Sequence, residues 1–241
     1  MLSRYTLTLR TEHANPKIEW AYPLHASLLE QLPPSVGASQ HDGTPTGISQ
    51  FVRYIGDGQL IWQVSLLGEC AEATFSPILD HADEFLLRRE HTLLRVQQCT
   101  VSRISTVEQL LTPSYSRKRQ LHFVTPTAFK SRKAYELLPT PERIMQNLIR
   151  RWNACIFNCP IEDEDGHGTT MLAQDLRCCG LQLQDCGYTL KGQVIPGVVG
   201  TMTLENHLSG FPAQLAHALL SFAAFSGIGI KTTLGMGGIL E

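Results

Sequence analysis

Polar and apolar side chains alternate from Tyr5 to Leu9, the period of two that a half-buried strand requires. The rhythm then changes: Leu24, Leu28, Leu29 and Leu32 recur on one helical face and predict a helix from Pro23 to Leu32, stopped by Pro33-Pro34. From Ser35 to Gly47 the chain is too polar, and too punctuated by Gly, Pro, Ser and Thr, to be anything but a loop. Two strands, Ile48 to Ile55 and Gln59 to Leu67, flank Gly56-Asp57-Gly58, a hairpin signal. A helix from about Ser76 to Leu87 and a strand from Thr92 to Ile104 complete the order β-α-β-β-α-β.

The same order recurs downstream. His122 to Thr125 predicts a strand, and Thr140-Pro141-Glu142 opens a helix to about Phe157, with Thr140 as N-cap and Pro141 in its first turn. Cys178 to Leu190 and Val194 to Asn206 predict a hairpin around Lys191-Gly192. Phe211 to Phe225 is an apolar helix, and Gly235 to Leu240 supplies a last strand. The pattern predicts an α+β chain of two tandem ferredoxin-like (βαββαβ, RRM-like) domains, over residues 1–110 and 117–241. No sequence repeat accompanies the repeated order.

With 241 residues and 43% hydrophobic content the chain can build one large or two small cores. No run approaches the ~18–20 apolar residues of a membrane span, and the alternating N-terminus has no signal-peptide core. Seven cysteines, odd in number and scattered, point to a reducing cytoplasm. Cys155-x3-Cys159 and Cys178-Cys179-x6-Cys186 lack the spacing of paired zinc knuckles, so neither metal nor cofactor is expected.

The net charge of −2 conceals a gradient. Residues 1–110 carry 8 Lys/Arg against 12 Asp/Glu, residues 111–160 carry 9 against 2, and residues 161–241 carry 3 against 8. One basic segment in an acidic body steers a polyanion. Its candidate phosphate contacts are Arg117, Lys118, Arg119, Lys130, Arg132 and Lys133. Phe123, Phe129 and Tyr135 interleave with them, either to stack on unpaired bases or to fill a core.

The stretch Phe225 to Leu240 follows an apolar helix with five glycines and one lysine. Its backbone N–H groups are expected to form an anion-binding concavity, with Lys231 as a mobile cation beside Gly227, Gly229, Gly235 and Gly237. The G-x4-G-K-[ST] spacing of a Walker loop is absent, and the glycines follow a helix rather than the strand a dinucleotide site needs. An RNA backbone is the better fit.

Gly227-Ile-Gly-Ile-Lys-Thr-Thr-Leu-Gly-Met-Gly-Gly238 resembles the C-terminal glycine-rich loop of the CRISPR repeat-cleaving endoribonucleases, the Cas six family of the RAMP superfamily. Phe123-Val-Thr-Pro-Thr-Ala-Phe129 is similar to that family's strand at the start of its second domain. Pro141 to Arg151-Trp-Asn153 resembles the following helix, and Gly197-Val-Val-Gly200 the strand before the last helix. The resemblance implies two tandem ferredoxin-like domains and metal-independent cleavage of CRISPR repeat RNA. A ribose 2′-hydroxyl would attack the adjacent phosphate, leaving a cyclic phosphate and a free 5′-hydroxyl.

Such chemistry needs a base, an acid and cations at the phosphorane, and histidine serves as acid or base near neutral pH. The family's catalytic histidine lies in the connection after the first helix, which implies His41. His25 and Tyr22, on that helix, are the further candidates. The lysine that often follows the family's loop histidine is missing from Asp42 to Phe51, leaving Arg53 as the nearest cation. His122 abuts the basic segment and is a further RNA contact candidate, whereas His167 sits in an acidic turn. Two other readings stay open: a non-catalytic RAMP subunit that holds guide RNA in an effector complex, and a ferredoxin-like protein binding a small anion.

Overall fold

The computed structural model describes residues 1–13, 15–32, 47–111, 116–132 and 134–240. His41 and Lys133 lie outside these residues, as does most of the polar loop after the first helix.

The first unit runs β1 (Leu2–Arg10), α1 (Ala21–Glu30), β2 (Ile48–Gly56), β3 (Gln59–Leu67), α2 (Glu69–Leu79), β4 (Glu84–Leu87) and β5 (Thr92–Ile104). Its antiparallel sheet has the order β2-β3-β1-β5-β4. The first strand is thus central, between the third and the last, as the ferredoxin-like order demands, with β4 added at the edge. Tyr5, Leu7 and Leu9 of β1 are fully buried, and they meet Trp62 and Val64 of β3, Leu24 and Leu28 of α1, and Phe75 of α2 in one core.

The second unit contains β6 (Lys118–Thr127), a short hairpin of β7 (Phe129–Ser131) and β8 (Ala134–Glu136), α3 (Pro141–Cys155), α4 (His167–Ala173), β9 (Leu176–Leu190), β10 (Gln193–Asn206), α5 (Gly210–Ser226) and β11 (Ile239–Leu240). Its sheet order, β11-β6-β10-β9, repeats the arrangement of the first. The chain therefore holds two ferredoxin-like folds in tandem. The two are fused: Leu2 and Leu67 of the first sheet lie in the same apolar core as Phe123, Trp152, Leu219 and Phe222. No helix among the described residues is long and apolar enough to cross a membrane.

The expected caps and turns account for most boundaries. The Thr140 hydroxyl accepts the N–H of Arg143 at 3.3 Å, and Pro141 occupies the first turn of α3. Lys191-Gly192 turns β9 into β10 with both φ angles positive. The helix expected over Ser76–Leu87 is corrected by the structure. Ser76-Pro77 imitates a helix start, but it falls inside α2, which follows Gly68 directly and carries Glu69 and Glu72 in its first turn, complementing the dipole. Phe85 and Leu87 alternate with exposed Glu84 and Leu86, the period of a strand, and form β4. The last strand is shorter than Gly235–Leu240: Thr232–Leu234 makes a 3-10 turn and only Ile239–Leu240 pairs with β6. Helix α4, opened by His167 where an acidic turn was expected, and the β7–β8 hairpin complete the differences.

Candidate nucleic-acid interface

The glycine-rich segment is a structural plug between the two units. Ile228 N–H donates to Gly237 O (2.9 Å), Ile230 N–H to Ala128 O (2.9 Å) and Gly237 N–H to Pro126 O (3.0 Å). Gly238 N–H donates to Thr125 Oγ1 (2.8 Å), and Gly227 N–H closes α5 onto Ala223 O. Asn147 of α3 clamps Gly229 from both sides, accepting its N–H at 2.9 Å and donating to its carbonyl at 3.3 Å. The expected concavity of free donors is thus corrected: the N–H groups of Gly227, Gly229 and Gly237 are spent inside the protein. Close approach explains these glycines, since a Cβ on Gly238 would stand 2.6 Å from the Phe51 ring, and one on Gly235 would meet Ala21 and the Tyr188 hydroxyl. Lys231 is different. It is exposed, with a left-handed φ of 55°, and presents its chain at the tip of the segment.

The plug is tied to the first unit by a buried amide. Gln50 of β2 donates to Ala21 O (2.7 Å) and Thr233 O (2.9 Å) and accepts Trp62 Nε1–H (2.6 Å), so its oxygen and nitrogen are both engaged. Thr233 Oγ1 donates to Ile48 O at 3.0 Å, and the Tyr188 hydroxyl to Leu234 O at 2.7 Å. Thus the start of α1, the start of β2, the plug and the tip of the β9–β10 hairpin converge on one seam. Ala128, Tyr188, Leu190, Ile195 and Met236 form its small apolar centre, with Tyr22, Ile230 and Leu234 against it.

Around the seam the candidates separate. Tyr22 is half-buried, with Lys191 Nζ 5.4 Å from its ring centre, in a groove of about 660 Å³ that Lys17 and Arg89 also line. His25 lies one turn further along α1, 7% exposed, and its Nε2 has no hydrogen-bond partner among the described residues. Lys130 and Arg132 are exposed on the β7–β8 hairpin, and Tyr135, 42% exposed, stands opposite Lys130. That hairpin leaves the sheet beside Ala128, which holds Ile230 of the plug. Arg117 and Lys118 are exposed and Arg119 half-buried at the other end of β6. Nine residue steps separate Lys118 from Thr127, roughly 30 Å of strand. The basic segment is therefore two cationic clusters, one at either end of β6. Phe123 and Phe129 are core residues, 2% and 7% exposed. His122 faces out, its Nε2 2.8 Å from Gln120 Oε1.

The family model for the CRISPR-associated endoribonuclease Cas6 matches residues 121–239. The CRISPR-associated endoribonuclease Cas6 of Mycobacterium tuberculosis is 28% identical over 99% of this chain and 77% of its own length. That of Streptococcus thermophilus is 26% identical over 95% and 93%. Over nearly its whole length this chain is similar to endoribonucleases of the Cas6 family, and its residues 121–239 match that family's model. Among solved structures, a Cas6 product complex shares its fold with a TM-score of 0.82 at 24% identity, covering 100% of this chain and 98% of that one. Thermus thermophilus Cas6 does so at 0.74 and 23%, with the same coverage.

Two features of this chain escaped the sequence. Asn147 and Gln50 look like ordinary polar residues of a helix and a strand. A signal was present for Asn147, which falls among Ile144, Met145, Leu148 and Ile149 on the buried face of α3, where an amide needs a partner. Asn153 acts similarly near the end of α3, exchanging hydrogen bonds of 2.7 Å in both directions with Ile161, and Trp152 Nε1–H donates to Cys159 O. Trp152 and Asn153 of the Arg-Trp-Asn stretch thus clamp the chain that follows the helix.

Burial pushes the His25 imidazole down from 6.5 to about 4, so it is neutral at pH 7 and cannot donate a proton as imidazolium there. The unfolded chain binds this proton below about pH 6.5 while the folded chain refuses it until about 4. The resulting stabilisation is therefore complete above pH 6.5 and lost as the pH falls to 4, about 3 kcal/mol in total. Urea titrations from pH 7 to 4 are expected to show His25→Leu losing less stability on acidification than the parent chain. Parallel pH profiles would mean that His25 titrates normally.

Proposed function

We propose that this chain is a cytoplasmic endoribonuclease that binds CRISPR repeat RNA and cleaves precursor transcripts into guide RNAs. The observation that carries the reading is its match, along nearly the whole chain, to endoribonucleases of the Cas6 family. Subunits of a CRISPR effector complex are its further partners in this reading.

In the proposed reaction a base removes the proton of a ribose 2′-hydroxyl, and the 2′-oxygen bonds to the adjacent phosphorus. The bond to the 5′-oxygen breaks, and an acid protonates that leaving oxygen. The products are a 2′,3′-cyclic phosphate and a 5′-hydroxyl. All atoms come from the RNA, so general acid–base catalysis and charge stabilisation suffice, without metal or cofactor. His41 is assigned as the principal acid or base. The residues that bound its loop support this, because Leu32 follows the end of α1 and Gly47 leads into Ile48, whose carbonyl the plug holds.

His25, neutral and buried, is suited to take part in a hydrogen bond rather than to take up a proton or supply charge. Tyr22 offers a phenol beside Lys191. Arg53, half-buried on β2 with no partner for Nε among the described residues, supplies the cation that the missing lysine would give. Lys130, Arg132 and Lys231 hold RNA near the plug, Arg117, Lys118 and Arg119 hold it at the far end of β6, and Lys133 is a further RNA contact in this reading. The buried glycines Gly227, Gly229, Gly235 and Gly237 act in binding by seating Lys231.

The missing lysine between Asp42 and Phe51 favours one alternative, a non-catalytic RAMP subunit that only binds the RNA. Incubation with repeat RNA in EDTA separates the two. The expected result is a fragment ending in a cyclic phosphate and one that polynucleotide kinase labels at its 5′-hydroxyl. Tight binding with no cleavage would replace the enzyme by the binding subunit, and cleavage only with added metal would overturn the metal-free mechanism.

A further inference from the structure

At the end of β1, β1 and β5 place Arg10 directly opposite Arg95. Like charges opposed across a strand pair repel. Both side chains are exposed, and neither has a salt bridge or hydrogen bond among the described residues. Glu84 stands opposite Arg95 on its other side without closing an ion pair to it. The arginines line a groove of about 480 Å³ together with His13, His91 and Gln97, and Glu12 is its one carboxylate.

Two details orient this groove toward a ligand. The β1–β5 register slips between Thr8 and Leu9, which pair with Gln98 and Val96. Gln97 is therefore the unpaired residue of a β-bulge, the device by which sheets re-aim a side chain, and it lines the groove. His13 Nδ1 accepts the N–H of Asn15 at 3.1 Å, which leaves the proton of the neutral ring on Nε2 as a donor. Arginine forks, a re-aimed amide and an imidazole N–H form a donor set for an oxyanion. The exposed side chain of Leu93 (37%) adds an apolar surface that a small inorganic anion would not use.

We propose that Arg10 and Arg95 grip the phosphodiester backbone of a single-stranded RNA segment, with His13 and Gln97 as hydrogen-bond donors and Leu93 beneath a base. The proposal rests on the RNA-binding function above and extends it to a second RNA-holding surface, outside the seam. It makes the strand's phosphate the counter-ion that the opposed arginines lack.

The test is a binding cycle with the full chain, the parent against Arg10→Gln/Arg95→Gln, and repeat RNA either complete or trimmed stepwise from each end. The double variant is expected to bind complete RNA several-fold more weakly at 0.15 M salt. Its log Kd against log salt should be shallower by about 0.7 for each single-strand phosphate that the arginines no longer neutralise. Trimming one particular end should weaken the parent equally and leave the variant unaffected, since both changes remove the same interaction. Equal affinity and slope for parent and variant would overturn the proposal. So would a weakening that is the same whichever end is trimmed, because a diffuse charge effect has no preferred segment. Protection of the parent against heat by inorganic phosphate, without any change in the RNA cycle, would assign the groove to a small anion instead. If the parent chain binds no repeat RNA at all, the failure lies with the proposed function and not with this groove. Thermal unfolding of the variant guards the comparison, and removal of the opposed charges should leave its Tm equal to or above the parent's.

Discussion

His41→Ala is expected to lower the single-turnover rate of repeat cleavage by about 10²- to 10⁴-fold, the range that one general acid or base supplies. RNA should still bind, because the cations assigned to binding lie on β6, the β7–β8 hairpin and the tip of the plug. The parent's pH–rate profile should have two limbs, and His41→Ala should lose one of them. Unimpaired cleavage by the variant would move the role to Tyr22 or His25 while leaving the enzyme intact. His25 is the poorer heir, since burial holds its imidazole neutral at pH 7. Reading the rate at saturating RNA separates this outcome from a change in affinity.

Gly237→Ala should be among the most destabilising single substitutions in the chain. Gly237 has a φ of +69°, costly for any residue with a Cβ. That Cβ would also collide with the carbonyl oxygen of Ile228 and stand 3.0 Å from Thr232 Cγ2. The same carbonyl region is fixed, because Ile228 N–H bonds Gly237 O and Gly237 N–H bonds Pro126 O. Overpacking and the left-handed backbone together come to about 3–5 kcal/mol, a fall of roughly 10 °C in Tm. Gly192→Ala is the matched control: its φ of +79° is as unfavourable, yet an added Cβ there meets nothing within 4 Å. It should lose only about 1 kcal/mol. Equal losses at the two sites, measured by calorimetry, would show that the plug yields and that its seating is loose.

The contrast between those two glycines also shows what was legible in advance. Period-two alternation located β1, where Tyr5, Leu7 and Leu9 are buried and the residues between them less so, and the turns at Gly56-Asp57-Gly58 and Lys191-Gly192 located the two long hairpins. Thr140-Pro141 located α3 because capping is local chemistry. The helix expected from Ser76 began seven residues late, because only the burial of Phe75 and Leu79 in the first unit's core reveals α2. The glycine-rich segment was conspicuous, but whether its N–H groups were free depended on Pro126, Ala128 and Asn147, all about 80 to 110 residues away. Tertiary partners decided that question. The position of Tyr22 in a groove and of His25 under cover was likewise beyond a helical wheel, since α1 is covered by the plug and the β9–β10 tip as well as by its own sheet.

The bonds from Thr233 to Gln50 and Ile48 span 183 and 185 residues. During synthesis at the ribosome, the first sheet therefore emerges long before the segment that covers its β2 edge. Gln50 and Phe51 must wait for the plug, with Gln50 lacking one of its acceptors. Pairings of such separation form late, after the local hairpins and helices. Docking of the plug is then the closing step of folding, and RNA-processing competence should appear abruptly with it. Until then, the nascent chain displays a half-finished seam that a chaperone can recognise.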